Sequence, residues 1–304
     1  MSEFLKKAVA AGYKIEDITP MDIYSYEELV KKMREIPKRT IVSTGIPSLN
    51  KLIEGFEPGR LYVLSGVTKG GKTTLAQTIM FNMAKIGQGS LFFSYEMGWQ
   101  EVVKKYMAMD GLQSPNGQPT KLPMYMPIEL NRGGNGLQYD WIREAIIKAK
   151  NEQNIKLVVI DHLHFLLPLQ DHKNLSFIIG GIVREIKKLS ISLEIPILLL
   201  CHLQKDATKD DVAPSWTDIR DSSFIAQEAD AVLIVWRGKD EEATKAAKKI
   251  TSTSVANVYS RKTMLSVDLN RMSGDTGRVL LWHNGAGFEE YDNQDGKKYE
   301  TARR

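Results

Sequence analysis

The chain has 304 residues, 42% of them hydrophobic, and sets 41 Lys and Arg against 37 Asp and Glu for a formal charge of +4. That balance is ordinary for a folded protein; it excludes a disordered or collagenous chain, and neither a polybasic arm nor an acidic tail dominates. Length allows two domains, or one large α/β domain with an appendage. Cys201 is the single cysteine, which rules out an intramolecular disulfide and a cysteine-rich zinc module and fits a reducing compartment. No segment approaches the roughly 18 apolar residues of a membrane span, so a cytoplasmic protein with no membrane contact is expected.

Residues 1–39 read as an N-terminal arm and linker helix. Ser25 and Glu28 have the spacing of a capping box, and Tyr26, Leu29, Val30 and Met33 follow at i, i+3, i+4 and i+7. This pattern predicts an amphipathic helix ending before Pro37. The helix has no core of its own, so it must dock on the main domain or on a neighbouring subunit.

Residues 40–292 read as one α/β domain, and 293–304 as a polar C-terminal tail. Short apolar runs at 61–65, 91–94, 157–160, 197–201 and 232–236 are largely uncharged, as strands buried on both faces must be. Helical segments at 72–86, 99–109, 139–150, 174–194 and 222–228 alternate with them, which predicts a mostly parallel, doubly wound sheet with helices on both faces. Shorter strands near 254–260, 264–269 and 278–283 are expected antiparallel at the C-terminal edge. No internal repeat is present.

The segment Gly66, Val67, Thr68, Lys69, Gly70, Gly71, Lys72, Thr73 fits G-x-x-x-x-G-K-[ST], after an apolar strand and before a helix. Its glycines let successive backbone N–H groups curl around phosphate oxygens, and the helix N-terminus adds partial positive charge. Lys72 is expected to reach the β- and γ-phosphates of ATP, the Thr73 hydroxyl to hold Mg²⁺, and Thr74 to complete the nucleotide contacts. Asp161 closes the run KLVVID and is the candidate metal-positioning carboxylate, because an unpartnered buried carboxylate would be costly. Glu96 follows LFFSY at the end of the next strand, where it can polarise a water for attack on the γ-phosphate.

Taken with His202, TDIRDSSFIAQEADAVLIVWR and NRMSGDTG, these residues resemble the RecA-like motor of DnaB-like hexameric replicative helicases, nearest to the phage gene-4-type and Twinkle branch. The similarity runs from about Ser43 to Tyr291, and IDHLHFLL, LLLCHLQ, TDIRDSS and RMSGDTG in that order are its most specific elements. The resemblance implies a ring-forming, ATP-dependent helicase that moves 5′ to 3′ on single-stranded DNA in replication, with primase or polymerase as partners in trans. It makes His202 a γ-phosphate sensor, Arg271 an arginine finger acting on a neighbour, and Arg237 an arginine near the base. Arg220 and Gln227 fall in a stretch used at the subunit interface. It also equates the helix near 25–36 with the linker helix that packs on the adjacent subunit. Leu269 stands where the family has a lysine, and Asn284 where the phage branch has a base-stacking aromatic, leaving Trp282 or Phe288 as substitutes. No primase, zinc ribbon or DnaB-type N-terminal domain is read ahead of the motor. The alternative class is a RecA/RadA- or KaiC-like ATPase in which nucleotide gates DNA binding without processive unwinding.

Loops after the core strands are the expected DNA grips. The segment 237–249 carries five basic and three acidic residues, whereas 203–214 has Lys205 and Lys209 against three aspartates. Six copies of even one lysine form a basic collar in a ring, and Lys205, Lys209, Lys245, Lys248 and Lys249 are the candidate contacts.

Overall fold

A computed structural model describes residues 23–36, 40–67, 69–112, 118–130, 137–166, 175–204, 213–219, 222–237 and 261–291. The chain divides into two units, residues 1–39 and 40–304.

The first unit contains helix α1 (Tyr26–Glu35), with the capping box as expected: the Ser25 hydroxyl accepts from the Glu28 amide and the Glu28 carboxylate accepts from the Ser25 amide. The helix buries none of its residues, and Tyr26, Leu29 and Met33 stay exposed along one face.

The second unit is built on a nine-stranded sheet among the described residues, in the order β3-β2-β4-β5-β1-β6-β7-β8-β9. The parallel strands are β1 (Leu61–Gly66), β2 (Gly89–Ser94), β3 (Met124–Tyr125), β4 (Ile155–Asp161), β5 (Ile197–His202) and β6 (Ala231–Trp236). Antiparallel β7 (Lys262–Asn270), β8 (Gly277–His283) and β9 (Phe288–Glu290) extend it at one edge. The expected strand at 254–260 lies outside the described residues. The helices are α2 (Pro47–Ile53), α3 (Lys72–Lys85), α4 (Trp99–Met109), α5 (Leu137–Gln153), α6 (Leu175–Ser192) and α7 (Ser222–Glu228).

Side chains on a strand alternate between faces, so each central strand feeds two cores. Tyr62 and Leu64 of β1 pack with Leu49 of α2 and with Leu75, Ile79 and Met83 of α3. Leu61 and Val63 join Ile142 and Ile146 of α5 and Ile179 and Val183 of α6 on the opposite face. Burial on both sides explains why these strands are short unbroken apolar runs rather than alternating ones. At the other end of the sheet Asp230 accepts from the Leu61 amide and pairs with Arg60 and Lys187, which ties the starts of β1 and β6 together.

Three elements escaped the periodicity argument, among them β9, whose three residues are too few to show an alternation. Helix α2 is only seven residues long, starts on Pro47 and buries just Leu49 and Ile53, too few to establish a 3.6-residue repeat. Strand β3 spans two half-buried residues whose pairing to β2 is set entirely by the sheet.

Candidate nucleotide site

The parallel register brings the ends of four strands to one rim. Gly66 at the end of β1 pairs with His202 at the end of β5 and with Val235 of β6, while Ser94 of β2 pairs with Asp161 of β4. Residues that leave these strands therefore converge, as ligands do at the carboxyl ends of strands in open α/β sheets.

The loop after β1 closes with a bond from the Gly70 amide to the Val67 carbonyl, and Gly71 takes φ +97° before the first turn of α3. A Cβ at Gly71 would lie 2.8 Å from the Phe288 ring, so both the backbone conformation and the packing demand glycine. Lys69 also adopts a left-handed conformation, with φ 63°, and its side chain is exposed. Thr68 lies outside the described residues. Lys72 is buried, and its Nζ donates to the carbonyls of Gly66 at 2.9 Å and Val67 at 3.1 Å. Burial lowers its pKa, an effect opposed by the carboxylates of Asp161 and Glu96.

Thr73 donates its hydroxyl hydrogen to Oδ2 of Asp161 at 2.6 Å. Asp161 is fully buried, and burial pushes its carboxyl pKa up to about 6 against the opposing pull of Thr73, Lys72 and Lys105. Its Oδ1 is buried without a hydrogen bond. A threonine hydroxyl beside a carboxylate oxygen with an unused lone pair is the donor set of a hydrated Mg²⁺, and the residues present fit that ion.

Glu96 reaches the same rim from β2 and is half exposed. His162, the residue after Asp161, is buried; its Nδ1 lies 3.6 Å from Glu96 Oε2 and its ring meets that of His202 edge-on at 4.2 Å. Burial, reinforced by its histidine neighbours, holds the His162 pKa down at about 3. Lys72, Thr73, Glu96, Asp161 and His202 are thus brought together. Arg237 belongs to the loop side of the same site, because a Cβ at Gly71 would meet its Cδ at 3.8 Å.

Lys105 was not legible from the sequence as a site residue. From α4 its Nζ donates to Thr74 Oγ1 at 3.2 Å, and Asp161 and Glu96 both act on it electrostatically. The available signal was its position three residues after Val102, the one buried residue of α4, which turns Lys105 toward the sheet. His162 was hidden inside IDHLHFLL, where its neighbour Asp161 carried the argument.

The antiparallel extension accounts for the unusual positions. Asn284 closes the β8–β9 turn: its Oδ1 accepts from the amides of Ala286 and Gly287, and its Nδ2 donates to Glu289. Phe288 is buried under Gly71, and half-buried Trp282 stacks one face on Tyr291 at 5.5 Å. His283 packs edge-on against Phe288 and has its pKa lowered by burial and by Arg237, which brings it to the loop side. Arg271 follows β7, and its guanidinium donates to the Ala226 carbonyl in α7 at 2.6 Å. Leu269 packs partly buried against the α6 side of the sheet, and Gln227 is exposed. Arg220, Lys205, Lys209, Lys245, Lys248 and Lys249 lie outside the described residues.

Residues 41–116 and 124–291 match the family described as DnaB-like helicase C terminal domain. The replicative DNA helicase DnaC of Bacillus subtilis is 26% identical over 249 residues, which cover 76% of this chain and 54% of that protein. The replicative DNA helicase DnaB of Geobacillus stearothermophilus is 28% identical over 258 residues, covering 78% and 56%. The chain therefore spans about half the length of these relatives. Among solved structures, a DnaB-like replicative helicase described with its primase interactions superposes with a TM-score of 0.66 at 17% identity over 93% of this chain and 70% of that one. A KaiC-like protein of Pyrococcus horikoshii gives 0.57 at 17% over 84% and 100%. These likenesses establish a RecA-like fold, as the resemblance to DnaB-like helicases led us to expect. No described helix is long and apolar enough to cross a membrane.

Proposed function

We propose that this chain, which belongs to the DnaB-like helicase C-terminal domain family, is the motor of an ATP-dependent replicative DNA helicase. The observation that carries the proposal is the convergence of Lys72, Thr73, Glu96, Asp161 and His202 on one rim of the sheet.

On this reading the residues of the loop from Gly66 to Thr74, Thr68 among them, cradle the ATP phosphates. Lys72 exchanges its two carbonyl partners for phosphate oxygens, which a buried ammonium favours because phosphate is charged and the carbonyls are not. Lys105 supplies a second cation from the same chain. Thr73 and Asp161 hold Mg²⁺, which neutralises charge on the β- and γ-phosphates when bound. Glu96, half exposed at the mouth of the site, orients and deprotonates the attacking water. His202 at the end of β5 senses the γ-phosphate and passes its loss to the loop that follows, which carries Lys205 and Lys209. Arg237 and His283 border the base.

Arg271 acts in trans, stabilising the transition state on a neighbouring protomer's nucleotide. That requires a closed ring of this chain, with α1 packing its exposed face on the next protomer and with single-stranded DNA gripped by Lys205, Lys209, Lys245, Lys248 and Lys249. A 5′ to 3′ direction, cytoplasmic action and a primase or polymerase working in trans complete the proposal. The test is ATP hydrolysis with and without single-stranded DNA, strand displacement from a forked duplex, and imaging of the assembly. DNA-stimulated turnover with displacement and closed rings is expected. Turnover without displacement, on helical filaments, would favour the nucleotide-gated class instead.

A further inference from the structure

Glu96, His162 and His202 present three ligand atoms that all lie within 4.8 Å of one another. We propose that they form a second cation site, selective for a borderline divalent transition metal such as Zn²⁺ and distinct from the Thr73–Asp161 position. The inference rests on the roles given above to Glu96 and His202 only in its consequence for turnover; the site itself stands on geometry.

The separation of His162 Nδ1 from Glu96 Oε2 is 3.6 Å, too long for a hydrogen bond between nitrogen and oxygen. Two ligands of one tetrahedral zinc ion, each about 2.0–2.1 Å from the metal, stand about 3.3 Å apart. The gap therefore suits a shared cation better than a direct bond. His162 is 6% exposed and its buried Nδ1 makes no hydrogen bond, so in the Nε2–H tautomer it offers the Glu96 side an unused ligand atom. The His202 ring lies 4.2 Å from the His162 ring at 77°, which lets a nitrogen from each be aimed at one point. Glu96 is 46% exposed and has the rotamer freedom to close the remaining distance.

Two imidazoles and one carboxylate are a donor set that selects zinc, cobalt or nickel, whereas Mg²⁺ prefers all-oxygen ligands. Lys72 and Lys105 oppose a further positive charge here, and the Asp161 and Glu96 carboxylates offset them. A bound ion would occupy both the water-orienting carboxylate and the γ-phosphate sensor. Zinc would then hold the nucleotide-free motor in an inactive state, reversibly.

The experiment titrates the nucleotide-free full chain with Zn²⁺ against a chromophoric chelator, and with Co²⁺, whose visible bands report tetrahedral nitrogen coordination. One ion per chain is expected, bound at least tenfold more weakly by Glu96→Gln and by His162→Ala, and unchanged by His283→Ala. Glu96 is an exposed position, so its variant keeps the fold; a melting curve checks His162→Ala. Absence of a bound ion, or equal affinity in wild type and Glu96→Gln, would overturn the site. ATPase assays run alongside separate the two readings. Zinc binding by a chain without ATPase retains the cation site and removes the helicase motor, and DNA-stimulated ATPase without zinc binding does the reverse.

Discussion

Thr73 and Asp161 are joined by a 2.6 Å hydrogen bond that links the first turn of α3 to the end of β4. The pair holds a carboxylate in a fully buried place, where its charge is costly without a cation. The Asp161 pKa stands at about 6 against an ordinary 3.8, so between those values the folded chain binds more protons than the unfolded one. Its contribution to stability is therefore complete below about pH 4 and is lost as pH rises through about 6. Asp161→Asn removes the charge but retains an oxygen for Thr73. The nucleotide-free variant should be more stable than wild type at pH 7 by about 1–3 kcal/mol and should not hydrolyse ATP. Thermal melts at pH 5 and pH 7 check this; a gain equal at both pH values would contradict the electrostatic cause.

Lys72→Ala should abolish turnover, with a loss of roughly 10²-fold or more, because it removes the buried ammonium at the Gly66 and Val67 carbonyls that is placed to neutralise the β- and γ-phosphates. Fluorescent-nucleotide titration and steady-state ATPase measure it. Near-normal hydrolysis would remove the nucleotide-site assignment altogether.

Glu96→Gln should bind ATP and assemble, yet lose hydrolysis by roughly 10²–10⁴-fold, since an amide keeps the shape and cannot accept the proton. A variant within a few-fold of wild type would mean that another group orients the water.

Arg271 in a single chain contacts the Ala226 carbonyl and not Asp275, the partner a simple surface ion pair would take. Arg271→Ala and Lys72→Ala proteins, each inactive alone, should recover some ATPase when mixed, because certain interfaces then unite an intact loop with an intact finger. Rates in wild-type fingers fall by about 10³–10⁵ on removal. Verified mixed assemblies without recovery would count against action in trans.

Helix α1 buries none of its own residues while Tyr26 and Met33 are 84% and 68% exposed. Tyr26→Ser with Met33→Ser should leave the monomer's melting temperature unchanged and shift the assembly toward monomers in light scattering. Unchanged assembly mass would detach α1 from the subunit contact.

Much of this molecule is written locally. The capping box of α1 involves four consecutive residues, and the strands β1, β2, β4, β5 and β6 are marked by apolar runs because both their faces are buried. The phosphate loop is legible for the same reason: glycine at position 71 answers a backbone angle that the local chain must adopt. What pairs with what is a different kind of information. Gly66 lies beside His202 across 136 residues of chain, and Ser94 beside Asp161 across 67, only because hydrogen-bonded register aligns the strand ends. Lys105 enters the site because α4 packs Val102 inward, and His162 becomes a neighbour of Glu96 because β2 and β4 are adjacent. Asn284 reads as a missing aromatic in one dimension and as the hydrogen-bonding closure of the β8–β9 turn in three. Periodicity and turn chemistry act over a few residues and so survive in sequence, whereas the reach of one side chain to another depends on the order of strands, which tertiary packing alone decides.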